Sequence, residues 1–198
     1  MKKQNDELVL MRLKDDDQKA LEELFQQYYY SLCFFAKSFV KSADWADEIV
    51  SDVFLNIWQK RKSLDIHQNF KAYLFAATKN QAINHLNKNK LIFDELDPMG
   101  HHATNAAEIS AETSLNYAET QQEIDALIEC LPQQRRMIFK LNRLEGFRYK
   151  EIAEILHISV NTVQKQMTEA VKYMSQYKSK FVTSNSFSLV YLFLFFSL

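Results

Sequence analysis

Apolar residues recur at three- and four-residue spacing over much of the chain. Residues 17–40 carry Leu21, Leu24, Phe25, Tyr28, Leu32, Phe35 and Phe39, the wide apolar stripe of an amphipathic helix. Residues 43–61 repeat it with Ala46, Ile49, Val50, Val53, Ile57 and Trp58, and their other face shows Asp44, Asp47, Glu48 and Asp52, then Gln59, Lys60 and Arg61. Residues 69–88 predict a third helix through Phe70, Tyr73, Leu74, Ala77, Ile83 and Leu86. Three such helices can share one core, so residues 5–92 read as a compact helical domain.

The period stops over residues 93–117. This segment holds Pro98, Gly100, the pair His101-His102 and small polar residues, and reads as a flexible linker. Order returns near Ala118, with Ile124, Leu127, Ile128 and Leu131. Pro132 opens a new helix, where its missing N–H costs nothing, and Met137, Ile138, Leu141 and Leu144 carry it to Gly146. Residues 118–178 then form a second helical domain. The fold class expected is all-α, two small domains joined by an acidic linker. Residues 179–198 make a tail of unassigned role, nearly all apolar from Phe187 to Leu198. Those twelve residues are shorter than the roughly 20 that a membrane-spanning helix needs. They can pack on protein, dip into a membrane surface or stay disordered, and packing on protein is the reading adopted.

Within the second domain, residues 149–167 have the pattern of a helix-turn-helix. Ala153 is small where two helices would cross, and Ile152, Leu156, Ile158 and Val163 supply the unit's own core. Ser159 can cap the second helix. Asn161, Thr162, Lys165 and Gln166 follow, side chains of the types that read base edges and phosphates. His157 stands where such a turn often has Gly, and a Cβ there costs energy at positive φ.

Composition supports helices: the chain of 198 residues has two Gly and two Pro. Cys33 and Cys130 are far apart and read as buried or half-buried free thiols in a reducing cytoplasm. The sequence Met-Lys-Lys-Gln-Asn-Asp-Glu lacks the apolar core of a secretory signal, so the expected location is cytoplasmic.

The net charge of −1 conceals alternating blocks. Residues 6–52 carry five Lys or Arg and eleven acids; residues 58–90 carry seven Lys or Arg and one acid. Residues 91–134 hold nine acids and no Lys or Arg; residues 135–180 hold ten bases and four acids. Two basic surfaces for nucleic acid, with acidic surfaces kept for something else, is the simplest reading. Solvated helix faces with chance clustering are the plainer alternative.

Taken together, these motifs resemble the sigma-70 family of RNA polymerase sigma factors in its extracytoplasmic-function form, whose two helical domains are called sigma-2 and sigma-4. The likeness covers about residues 7–175. It rests on Phe25 and Tyr28, on the run Ala46 to Trp58, and on Phe70-Lys71-Ala72-Tyr73-Leu74 with Asn80, Ile83, Asn84 and Leu86. In the second domain it rests on Leu131-Pro132, Arg135-Arg136, Phe139, Glu151-Ile152-Ala153 and Ser159 with Asn161-Thr162-Val163. The lone helix-turn-helix is weakly specific; the three motifs in this order are strongly so.

The resemblance implies partners: core RNA polymerase through its β′ coiled coil and β flap, promoter DNA, and a membrane-bound anti-sigma factor. It implies that the acidic-aromatic helix docks on the coiled coil, that the 69–90 helix recognises and opens the −10 element, and that the helix-turn-helix reads the −35 element. The acidic linker would run through the polymerase between them. Where the family often has an acid at position 84 and Arg at 87, this chain has Asn at both, which bears on the bases preferred at the −10 element. The Phe- and Tyr-rich, Lys-over-Arg composition looks most like sigma factors of Bacteroidetes-type bacteria.

The candidate −10 residues are Lys79, Asn80, Asn84, Lys88 and Lys90. Opening a duplex needs a surface that holds an unstacked base while cations hold phosphates. Phe70, Tyr73 and Phe75 supply rings nearby, which are equally well explained as core. The candidate −35 residues are Ser159, Asn161, Thr162, Lys165 and Gln166. The candidate polymerase face is Asp47, Asp52, Phe54, Trp58 and Gln59, an acid-and-aromatic surface that suits a basic coiled coil; Trp58 also fits a plain core role. No nucleophile–base arrangement, Gly-rich phosphate loop or metal motif appears, so no enzyme, cofactor or small-molecule substrate is expected. His101-His102 lacks a further ligand at metal spacing. Two other classes remain open: a stand-alone helix-turn-helix regulator, and a membrane-associated adaptor using the tail.

Overall fold

The computed structural model describes residues 2–64, 69–96 and 125–181, and every regular element among them is helical. The chain divides into two compact units.

The first unit holds four α-helices. Helix α1 (Lys2–Lys14) precedes the segments that the apolar spacing marks; it packs on the next helix and buries Val9 and Leu13. Its end is tied down by Arg12, whose guanidinium meets Asp17 at 2.8 Å and Glu23 at 2.9 Å. Asp17 also caps α2 (Gln18–Val40), accepting from the Lys19 N–H at 3.0 Å. Helix α2 stops at Lys41, which takes a left-handed φ of 55° and donates its N–H to Lys37 O. Ser42 caps α3 (Ala43–Lys60), and a single 3-10 turn, Arg61–Ser63, follows. Asn69 opens α4 (Phe70–Leu96) by accepting from the Ala72 N–H. Helix α4 runs past the expected end at residue 88 and into the span read as linker. No Gly or Pro interrupts it before Pro98, and the residue before a proline is disfavoured in helix.

Helices α2, α3 and α4 pack on one another around Leu24, Tyr28, Leu32 and Phe35 of α2, Ile49, Val50, Val53, Phe54 and Ile57 of α3, and Phe70, Leu74 and Phe75 of α4. Each such side chain contributes about 1.5–3 kcal/mol by leaving water. The buried Thr78 hydroxyl donates to Leu74 O at 2.9 Å, so it carries no unpaired polar atom into the core.

The buried stripe of α4 differs from the one expected. Phe70, Leu74, Phe75, Thr78, Lys79 and Ala82 face inward, whereas Tyr73, Ile83 and Leu86 are exposed. Spacing alone admits either stripe in so apolar a helix; contact with α2 and α3 selects one. Phe25 of α2 is likewise exposed, stacked on Tyr29 with ring centroids 4.3 Å apart.

The second unit begins, within the described residues, at a helical stretch over 125–129, followed by α5 (Gln133–Arg143), α6 (Tyr149–Leu156) and α7 (Val160–Phe181). Its core is Ile128, Leu131, Ile138, Phe139, Leu141, Phe147, Ile152, Val163, Met167, Ala170 and Met174, with α5 packed on α7. Ile155 is buried, while the expected Leu156 and Ile158 are half-buried. Gly146 takes a φ of 73° after α5, which only glycine adopts without strain. Arg136 donates to Leu131 O and pairs with Glu129, which also meets Lys140, fixing α5 to the segment before it.

Most of the linker, including His101-His102, and the tail from residue 182 lie outside the described residues. Among the described residues, no helix is long and apolar enough to cross a membrane. Cys33 is half-buried as expected, but Cys130 is exposed.

Candidate nucleic-acid interface

The turn between α6 and α7 is formed despite the missing glycine. His157 adopts a φ of 54°, the Ile158 N–H bonds Ala153 O at 3.0 Å, and the His157 N–H reaches Glu154 O at 3.4 Å. These paired bonds end α6 in a Schellman motif with His at its left-handed position. Ser159 then caps α7: its hydroxyl accepts the Thr162 N–H at 3.0 Å and lies 2.8 Å from the Thr162 hydroxyl. Ser159 and Thr162 therefore hold the helix start. Asn161 and Lys165 are exposed one turn apart, and Gln166 is half-buried at the edge of their face. Gln164 and Thr168 are exposed beside them and extend the surface beyond the expected set. Their positions relative to Asn161, three and seven residues on, were the available signal. Gln166 is tied to α5, its side-chain oxygen accepting from Arg135 Nε at 3.2 Å.

On the first unit, α4 presents a polar row opposite its buried stripe. Asn80, Asn84 and Lys88 follow at four-residue intervals and are exposed. Tyr73, 37% exposed, begins the same row seven residues before Asn80. Of the three rings near this helix, Phe70 and Phe75 are core and Tyr73 is at the surface, its ring 6.3 Å from that of Phe70 at an interplanar angle of 20°. Lys79, expected as a surface cation, is only 7% exposed, and burial pushes its ammonium pKa down. It falls on the inward stripe between Phe75 and Ala82. Lys90 lies on α4, with its side chain outside the described residues.

The acidic-aromatic helix α3 splits in two. Asp47 and Gln59 are exposed, and Asp52 is half-buried, accepting from Gln81 of α4 at 3.1 Å. Phe54, expected on the docking surface, is 4% exposed and packs on Phe25 with ring centroids 5.1 Å apart; it continues the inward row of Val50 and Ile57. Trp58 is half-buried, and the Arg61 guanidinium lies 4.1 Å over its ring. Arg61 is fixed there by bonds to Trp58 O at 2.7 Å and to Asp16 at 2.5 Å. Arg61 thus shapes this face although the sequence reading left it out of the candidate set.

Behind Asp47 lies Cys33. Burial, then a hydrogen bond to Asp47, pushes its thiol up to about 12. The thiol therefore stays protonated at neutral pH. Among the described residues, no group of three or more His, Cys, Asp or Glu side chains is placed to hold a metal ion.

Comparison with known proteins covers both units. Residues 24–92 match the family described as Sigma-70 region 2, and residues 121–174 match Sigma-70, region 4. The ECF RNA polymerase sigma-E factor of Escherichia coli K12 is 27% identical over 172 residues, spanning 83% of this chain and 90% of that protein. The ferric citrate uptake sigma factor FecI of the same organism is 28% identical over 134 residues, spanning 68% of this chain and 76% of FecI. A solved structure of the sigma factor RpoE of Bartonella quintana, in complex with the anti-sigma factor NepR, shares the fold with a TM-score of 0.58. It is 21% identical and covers 80% of this chain and 96% of that one.

Proposed function

Since the chain belongs to the sigma-70 family, in its extracytoplasmic-function branch, we propose that it binds core RNA polymerase and directs promoter-specific initiation, reading the −10 element with residues 5–92 and the −35 element with residues 118–178. The observation that supports this reading is the presence, in one chain, of two exposed polar surfaces of different chemistry, each suited to nucleic acid. The capped helix α7 presents Asn161, Gln164 and Lys165 on a rigid rod suited to the major groove. The α4 row offers a surface ring, Tyr73, with Asn80, Asn84 and Lys88 beyond it. A ring and amides at that spacing suit an unstacked base, and Lys88 suits a phosphate.

The polymerase contact is assigned to Asp47, Asp52, Gln59 and the Arg61-covered Trp58 on α3, with Phe54 supporting them from the core. The acidic carboxylates complement a basic coiled coil and steer association. A membrane-bound anti-sigma factor is the regulatory partner proposed; what supports an anti-sigma partner is the similar fold of a sigma factor solved with an anti-sigma factor.

The test is a footprint on promoter DNA from the chain's own genome, with core polymerase, with the chain, and with both. Protection over the −35 and −10 elements only when both are present is the expected result. Protection by the chain alone, unchanged by polymerase, would instead identify a stand-alone regulator.

A further inference from the structure

Arg135 and Gln166 are 31 positions apart in sequence, yet Arg135 Nε donates to Gln166 Oε1 at 3.2 Å. This contact fixes the orientation of an amide that is otherwise symmetric in shape. Arginine has donors and no acceptor, so only the oxygen of Gln166 can face it. The amide nitrogen, with two N–H donors, must then point away from α5. Both side chains are half-buried, which limits alternative rotamers, and among the described residues no other bond to either side chain is formed.

The consequence is chemical. A free glutamine pairs with adenine through both ends of its amide, accepting from N6–H and donating to N7. Guanine offers N7 and O6 as acceptors and thymine offers O4, whereas cytosine presents a donor. An amide whose oxygen is held by Arg135 retains its donors and loses free use of its acceptor. The second lone pair of that oxygen remains, but the amide plane is set by Arg135, and bidentate pairing with adenine needs the plane set by the base. Resting on the −35 reading above, we propose that Arg135 is a positioning residue that sets base preference: it presents Gln166 as a donor, so that one position of the duplex element favours guanine or thymine over cytosine and withholds from adenine the second bond of bidentate pairing.

The experiment uses the full chain assembled with core polymerase and a promoter library randomised over the −35 element, with transcripts counted by sequencing. The intact chain should enrich guanine or thymine at one position. Gln166→Ala should flatten that position alone. Arg135→Ala should leave the other positions unchanged and raise adenine at this one by about tenfold, the size of a good bidentate contact. Arg135→Lys retains a donor and should restore the original preference; confinement of the Arg135→Ala effect to one position is what separates positioning from a lost phosphate contact, which weakens all sequences alike. If Arg135→Ala lowers every sequence alike with base preferences intact, or alters a position that Gln166→Ala does not, the proposal is overturned. An unchanged profile for Gln166→Ala overturns it as well. Absence of any transcript with active core polymerase would overturn the proposed function and this inference together, and is distinguishable from those outcomes.

Discussion

The carboxamide of Gln81 on α4 donates to the carboxylate of Asp52 on α3, with Nε2 and Oδ2 3.1 Å apart. Gln81 is flanked by the exposed Asn80 and the buried Ala82, so this bond fixes the rotation of α4 that turns the amide row outward. It also links the face assigned to polymerase with the face assigned to the −10 element. A hydrogen bond to a charged group contributes about 1.5–3 kcal/mol, and partial exposure brings this pair to the lower end. Gln81→Ala should lower the urea midpoint of the first unit accordingly. Asp52→Asn, whose oxygen still accepts, should cost less, and the double variant should cost no more than Gln81→Ala alone.

His157 makes a second prediction. A left-handed conformation costs an L-residue roughly 1–2 kcal/mol; glycine removes that strain, but its greater unfolded-state entropy cancels part of the gain. His157→Gly should stabilise the second unit by about 0.5–1 kcal/mol, measured by urea denaturation, with promoter preference unchanged. Ser159→Ala, which removes the α7 cap, should destabilise by about 1 kcal/mol.

The junction of α1, α2 and the turn after α3 should respond to acid. Hydrogen bonds from Lys62 and Arg61 hold the Asp16 carboxyl below its ordinary value of 3.8, and Arg12 does the same for Asp17. A depressed carboxyl stabilises the fold fully above its unfolded value and loses that contribution as pH falls through the folded value. Protonating Asp16 also weakens one of the two bonds that hold Arg61 over Trp58. In a Trp45→Phe background, Trp58 fluorescence should change with a midpoint below 3.8. Adding Asp16→Asn should abolish that transition.

The two thiols should differ in reactivity. Cys33, held near 12 by burial and Asp47, carries almost no thiolate at neutral pH, whereas Cys130 is open to solvent. Iodoacetamide at neutral pH should modify Cys130 in the folded chain and leave Cys33 intact until denaturant is added, as read by peptide mass spectrometry.

Much of this was legible in the sequence because helices leave a 3.6-residue trace. The segments 17–40 and 43–61 are α2 and α3, and the helix-turn-helix was marked by its capping Ser159 and small Ala153. The exceptions have specific physical causes. Helix α1 escaped notice because few apolar positions, chiefly Val9 and Leu13, carry its packing. In α4, apolar residues occur on nearly every side, so spacing could not separate the stripe of Phe75 and Ala82 from that of Tyr73, Ile83 and Leu86. That ambiguity also hid Lys79, whose charge suggested the surface although its position is internal. Phe54 was read with its acidic neighbours, but position in the turn, four residues after Val50, sends it inward. Tertiary pairs such as Arg135 with Gln166 and Arg61 with Trp58 depend on how the chain folds back, and local pattern does not encode them.

The central claim is that this chain gives core polymerase its promoter choice and divides the work between two surfaces. Run-off transcription tests it most directly, with core polymerase alone, with the chain, and with Asn80→Ala or Lys165→Ala variants, on duplex templates and on templates carrying a pre-melted −10 bubble. The account predicts a discrete transcript only when the chain is present. It also predicts that the bubble partly rescues Asn80→Ala, which fails at strand opening, but not Lys165→Ala, which fails at duplex recognition. No specific transcript from any upstream region of its genome, with active core enzyme, would contradict the assignment as a sigma factor. Equal rescue of both variants would contradict the division of labour.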